Sequence, residues 1–189
     1  MTDSLRDLPA SRGDPLPFGA TPTGRGVRFS AFSRHATSVT LLLFDRPGDL
    51  DPAVEIPLDP RLNRTGDAWH VEVEGIGTGA LYLFRVDGPR EPERGHRFDA
   101  RAMLLDPYAK AVTGPAERRK GVVVSDEFDW QGDRPLGRPL QRTVIYETHV
   151  RGFTRHPSSG VEHPATFRGV AEKIPWLTDL GVTSVELMP

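Results

Sequence analysis

The chain has 189 residues, with 26 acidic against 24 basic side chains, a net charge of -2 and no cysteine. These totals give neither a polyanion-binding field nor an acidic tail, so no nucleic-acid partner is expected, and disulfides, thiolate zinc sites and cysteine nucleophiles are excluded. Glycine and proline, 19 and 18 in number, fall between short apolar runs, where they punctuate strands and do not mark low complexity.

Residues 1–17 carry no apolar signal-peptide core and read as a flexible N-terminus. The best apolar run, VTLLLF at 39–44, is too short to span a bilayer, so a soluble, cytoplasmic chain without a membrane partner is expected. From 18 to 125 short strands alternate with turn signals: GVRFSAFS, SVTLLLFD, AVEIPL, AWHVEVEG, ALYLFRVDG and GVVVS. In AWHVEVE, Trp69, Val71 and Val73 alternate with His70, Glu72 and Glu74, which predicts one buried and one wet sheet face. Strands at this spacing predict a mainly β fold, an antiparallel β-sandwich of immunoglobulin-like type. The basic run RRK at 118–120 reads as a solvated turn.

A Pro- and Gly-rich linker is expected over 126–142, and the pattern then changes. TVIYETHVRGFT, 143–154, predicts a strand running into a loop, with Glu147, His149 and Arg151 on one face and Val144, Tyr146, Thr148 and Val150 on the other. In TFRGVAEKIPWLTDLG the apolar residues recur at three- and four-residue intervals, which predicts a helix capped by Thr166, stopped at Gly181 and kinked or broken at Pro175. VTSVELMP supplies a second strand, and a crossover of this length implies parallel pairing in a right-handed βαβ unit. Such a unit alone has open edges and an uncovered sheet face, so the chain reads as the beginning of something larger. His156 and His163 are expected as exposed loop residues with no metal between them.

Taken together, TVIYETHVRGFT, FRGVAEKIPWLTDLGVTSVELMP and GHRFDARAMLLDPYAKAV resemble the isoamylase-type glycogen-debranching enzymes of the α-amylase superfamily, from about Phe18 to Pro189. The resemblance implies a sandwich similar to a starch-binding module at 18–125, followed at 143–189 by the first βαβ unit of a truncated (β/α)8 barrel, a fold that needs about 250 residues. On this reading Glu147, His149 and Glu186 face a polar barrel mouth and Arg151 starts its rim. A buried polar network with no role in chemistry is the alternative. Trp69 and Tyr82 are the carbohydrate-binding candidates, because aromatic faces stack on sugar rings. Their register with Val71 and Val73, and with Phe84 and Val86, reads equally as core, and weak affinity for linear maltooligosaccharides is then expected. Asp87-Gly88 reads as a turn, and Asp106-Pro107-Tyr108 as a connector docking sandwich onto barrel.

The family's chemistry is retaining glycoside hydrolysis by two carboxylates. The resemblance puts its catalytic carboxylates on the fourth, fifth and seventh barrel strands, so no catalytic residue is assigned here, no cofactor or metal is expected, and the chain alone is expected to be inactive. The implied function is that of the N-terminal part of an α-1,6-glucosidase whose partner is an α-glucan, glycogen or limit dextrin. A non-catalytic glucan-binding module, a sandwich that merely buttresses a barrel, and the related branching or trehalose-forming enzymes are the alternatives. HVRGFT favours the debranching type.

Overall fold

The computed structural model describes residues 8–188. It divides into two compact units, the first ending at Phe128 and the second beginning at Asp129. In the first unit the apolar runs become strands, in chain order β1 (Ala10–Ser11), β2 (Gly19–Pro22), β3 (Gly26–Phe32), β4 (Ser38–Phe44), β5 (Val54–Pro57), β6 (Arg64–Thr65), β7 (Ala68–Glu74), β8 (Leu81–Asp87), β9 (Arg90–Glu91), β10 (His96–Arg97), β11 (Ala111–Thr113) and β12 (Lys120–Val122). One antiparallel sheet runs β1-β7-β3-β2 with β6 also on β7, the other runs β11-β12-β8-β4-β5, and β9 and β10 form a separate ribbon.

Period-two alternation explains the core between these sheets. Val27, Phe29, Trp69, Val71 and Val73 from the first sheet meet Val39, Leu41, Leu43, Tyr82 and Phe84 from the second in one buried cluster. A glycine decides how β12 joins: a Cβ on Gly121 would lie 2.7 Å from Cε1 of Tyr82, so only a residue without one lets the strand rest on that ring.

Three expectations are corrected in this unit. Residues 8–17 are not loose: Ala10 and Ser11 pair with Val73 and Glu72, Ser30 Oγ donates to Pro15 O at 2.6 Å, and Arg28 meets Asp14 at 2.6 Å. Residues 1–7, the rest of the expected flexible N-terminus, lie outside the described residues. The expected wet face of β7 is wet only in part: Glu72 and Glu74 are half-buried, while His70, which meets the N-terminal strap, is fully buried. Its Nδ1 lies 2.9 Å from Arg12 O and its Nε2 2.9 Å from Thr65 Oγ1. A carbonyl can only accept, so Nδ1 donates. Finally, RRK is a solvated turn only at Arg118 and Arg119. Lys120 is buried, its Nζ donating at 2.8 Å to both Pro47 O and Asp49 O above the Phe44 ring.

The second unit holds β13 (Ile145–His149), α1 (Val150–Thr154), α2 (Phe167–Glu172), α3 (Ile174–Asp179) and β14 (Ser184–Met188). β13 and β14 pair in parallel, Ile145 opposite Ser184 through His149 opposite Met188. Thr166 Oγ1 caps α2 by accepting from Gly169 N at 3.2 Å. The expected single helix breaks at Lys173, and Pro175 falls in the first turn of α3, where its missing N–H leaves no helical bond unmade. On the helix-facing side of β13, Tyr146 meets Trp176 edge-on at 6.2 Å and Phe153 at 5.8 Å, and Thr148 is buried. Much of the remaining apolar surface is open: Ile145, Phe167, Ile174 and Leu180 are all more than half exposed. Pro189, the last residue of the VELMP motif, lies outside the described residues.

Candidate functional site

Trp69 and Tyr82 are placed where a sugar ring cannot reach them. Trp69 is 0% exposed, its Nε1 donates to Ser33 O at 3.1 Å, and the Arg64 guanidinium lies over its ring at 5.0 Å. That guanidinium is itself held by Arg34 O at 2.8 Å and Gly66 O at 2.9 Å. Tyr82 is also fully buried, packed edge-on against Phe29 at 5.0 Å and Phe84 at 5.9 Å. The carbohydrate-binding assignment to these two residues is therefore corrected: their strand register with the inward valines and Phe84 puts both rings in the core.

The Tyr82 hydroxyl donates to Asp106 Oδ2 at 2.7 Å, and the other carboxylate oxygen accepts from Tyr108 N at 2.8 Å. Burial, reinforced by the Asp106 bond, pushes the phenol well above its usual range. Burial also pushes the Asp106 carboxyl up, against the opposing pull of the two hydrogen bonds it accepts. Asp106 thus fastens the segment ending in Tyr108 to the second sheet. Asp87-Gly88, expected as a turn, is an extended connection instead: β8 ends at Asp87, Gly88 N donates to Asp87 Oδ1 at 2.8 Å, and β9 begins at Arg90.

In the second unit Glu147 and Glu186 sit opposite each other in the parallel register, both exposed, with His149 exposed two residues on. His149 Nδ1 accepts from Gly152 N at 3.2 Å and caps α1. The chain turns helical at Val150, so Arg151 leaves the line that Glu147 and His149 begin. Among the described residues no hydrogen bond or ion pair joins these four. His156 is exposed and caps the turn at Pro157–Ser159, its Nδ1 accepting from Ser158 N at 3.2 Å. His163, only half-exposed, places Nδ1 2.9 Å from Glu172 Oε1. Glu172 also accepts from Glu162 N at 2.6 Å and His163 N at 3.1 Å, and these bonds, the Glu162 amide first, hold its carboxyl below the usual range. Among the described residues no group of three or more His, Cys, Asp or Glu side chains is arranged to hold a metal ion.

Sequence reasoning missed a cleft of about 430 Å³ in the first unit, floored by Phe84 and Val86 and walled by Phe32, His96, Phe98 and Leu105. Phe32 is 53% exposed and meets Phe18 edge-on at 6.3 Å, while Phe18 tilts against Tyr108 at 5.0 Å. The His96 ring lies 4.5 Å from that of His35. One signal was available: Phe32 shares the outward parity of Arg28 and Ser30 on β3, an unusual place for a large aromatic.

Residues 17–109 match carbohydrate-binding module 48, the isoamylase N-terminal domain, and the first unit belongs to that family. The chain as a whole corresponds to the N-terminal region of isoamylase- and pullulanase-type debranching enzymes. It is 44% identical over 194 residues to "Isoamylase 1, chloroplastic" of Oryza sativa subsp. japonica, covering 94% of this chain and 24% of that relative. It is 39% identical over 202 residues to a glycogen debranching enzyme of Yersinia pestis, covering 95% of this chain and 30% of the relative. Among solved structures, a pullulanase from Paenibacillus barengoltzii in complex with maltohexaose and alpha-cyclodextrin matches with a TM-score of 0.69 at 26% identity, over 95% of this chain and 28% of that one. The chain therefore spans between about a quarter and a third of the length of these relatives.

Proposed function

We propose that this chain is the N-terminal part of a retaining α-1,6-glucosidase that hydrolyses branch linkages in glycogen or limit dextrin, with residues 143–189 forming the first βαβ unit of its (β/α)8 barrel. The observation that carries this reading is the parallel, in-register pairing of β13 with β14 across a helical crossover. Alternate residues of β13 divide between Tyr146 and Thr148 against the helices and Glu147 and His149 on the opposite side, as barrel strands do. Glu147, His149 and Glu186 then contribute to a polar barrel mouth, with Arg151 beside it on α1. The names of the relatives support the substrate class.

Retaining hydrolysis needs two carboxyl groups about 5–5.5 Å apart, one as nucleophile and one as acid/base, on opposite sides of the scissile bond. Glu147 and Glu186 do not fill these roles, because they lie side by side on neighbouring strands of one open sheet face and not on opposite sides of a cleft. The chain by itself is therefore inactive, and cytoplasmic residence belongs to the same proposal. The test is to express the uninterrupted reading frame that contains this chain beside the 189-residue chain alone. Release of linear chains from glycogen by the longer product only is expected. Activity in the short chain, or none in a folded longer one, would overturn the reading.

A further inference from the structure

We propose that Thr154 and Glu172 are positioning residues: together they hold residues 155–166 in one fixed shape beyond the C-terminal end of β13, where the segment serves as a preformed wall of the substrate cleft. The proposal rests on the preceding reading, because a (β/α)8 barrel builds its site from the loops that follow the C-terminal ends of its strands.

This segment is tightly fastened by polar bonds in a unit whose apolar faces are largely open. Thr154, the last residue of α1, is 0% exposed; its Oγ1 accepts from Ala165 N at 2.9 Å, and its carbonyl accepts from Ser159 Oγ at 2.8 Å. Glu172, on α2, accepts from Glu162 N at 2.6 Å and from His163 N at 3.1 Å, and its Oε1 lies 2.9 Å from His163 Nδ1. His163 O in turn accepts from Thr166 Oγ1 at 2.8 Å. The excursion between α1 and α2 is therefore tied back to both helices.

What these bonds maintain is a strained bend. Ala165 has φ +63°, a left-handed conformation that is unfavourable for a residue with a Cβ and persists only where the surroundings over-determine it. The approach of α2 is equally close: a Cβ on Gly169 would lie 2.3 Å from His163 O and 2.9 Å from Thr154 Oγ1. A loop that merely connects β13 to α2 needs neither strain nor so close an approach. A loop whose shape is its function needs both, and such strain gathers at binding and active sites. Arg155, His156 and Glu162 are exposed along it and offer donors and acceptors for sugar hydroxyls. Because the fastening sets the shape of a wall and touches no reacting group, its loss is expected in KM and not in kcat.

The experiment is steady-state debranching of glycogen by the longer enzyme carrying Thr154→Val, Thr154→Ser, Glu172→Gln or Ala165→Val, with a thermal melt of each. Thr154→Val removes the acceptor for Ala165 N, Glu172→Gln turns a donor toward an N–H, and Ala165→Val puts a branched side chain at the left-handed position. Each is expected to raise KM about tenfold while kcat stays within about twofold. Thr154→Ser keeps the hydroxyl and is expected to recover most of the loss. Where Thr154→Val fails to fold, Glu172→Gln, at an exposed position, decides alone. Unchanged KM in a folded Thr154→Val or in Glu172→Gln overturns the positioning role and leaves the glucosidase reading standing. So does a loss confined to kcat, or a Thr154→Ser enzyme as impaired as Thr154→Val. An inactive parent enzyme overturns the glucosidase reading itself, and the positioning role falls with it.

Discussion

Trp69 and Trp176 mark the contrast between the two units: the first is 0% exposed, the second 48%. Both belong to elements that obey ordinary local rules, a strand alternating in period two and a helix with a proline in its first turn. The difference is what stands opposite. Trp69 faces a second sheet, whereas Trp176 meets the rings of Tyr146 and Phe153 and remains about half exposed. Correct local structure is thus not the same as a closed core, because apolar burial stabilises only where something covers the surface, at about 1.5–3 kcal/mol per large side chain. Ordering the backbone costs roughly 1–2 kcal/mol per residue in either case.

Hydrogen exchange should break or confirm this contrast most forcefully. Core amides of the first unit, such as those of Leu41 and Val71, are expected to exchange at least about a thousandfold more slowly than those of Ile145 and Leu187. Limited proteolysis should begin between Gln131 and Gln141. Even protection through both units in a monomer would show that the second is stabilised by contacts of a kind not described above.

Truncating the two tryptophans gives the next largest effect. Trp69→Ala should cost about 3–5 kcal/mol in a urea titration, because it opens a cavity between two sheets. Trp176→Ala should cost less than about 1 kcal/mol, as for a surface position. Comparable losses would mean that the tertiary closure of the two units does not differ.

How far the fold was legible in the sequence follows the same division. β3, β4, β5, β7 and β8 announce themselves as short apolar runs between turn signals, β7 by alternation as well, and the break at Pro175 and the cap at Thr166 are local chemistry. What escaped depends on distant chain. His70 reads as wet until Arg12, 58 residues away, covers it. β1, β2 and β6 are two to four residues long, too short to show a period. At the candidate site the register of Trp69 and Tyr82 already pointed to the core. Of the cleft, the sequence carried no more than the outward parity of Phe32, because the cleft joins that residue on β3 to residues 95–107, which meet only in three dimensions.

The basic run supplies a sharper and smaller test. Lys120→Met keeps the stem but leaves the carbonyls of Pro47 and Asp49 unpaired, at an expected cost of about 2 kcal/mol by thermal or urea unfolding. Arg119→Met on the exposed turn should stay within about 0.5 kcal/mol. Equal effects would put both side chains in solvent.

The smallest expected effects have opposite signs in the two units. Asp106 is raised in the fold, so its folded form holds a proton more tightly than its unfolded one; its contribution is greatest below the unfolded carboxyl pKa and is lost as pH rises through the folded value. Glu172 is lowered, so its contribution is present above the unfolded pKa and is lost as pH falls through the folded value. Comparing each carboxylate with its amide, Asp106→Asn and Glu172→Gln, across the acidic range should show these opposed slopes. Parallel slopes would refute the assignment of the two environments.

Lys120 has one more consequence, for the order of events during synthesis. Its ammonium fastens the loop at Pro47 and Asp49 from 73 and 71 residues further along the chain. A ribosome adding about 5–20 residues each second would leave that loop without its anchor for roughly 4–15 seconds. Over that interval β4 and β5 are already made, while β12, the strand that carries the anchor, is not, so the sheet's own edge must wait for its last strand before the loop beside it can settle.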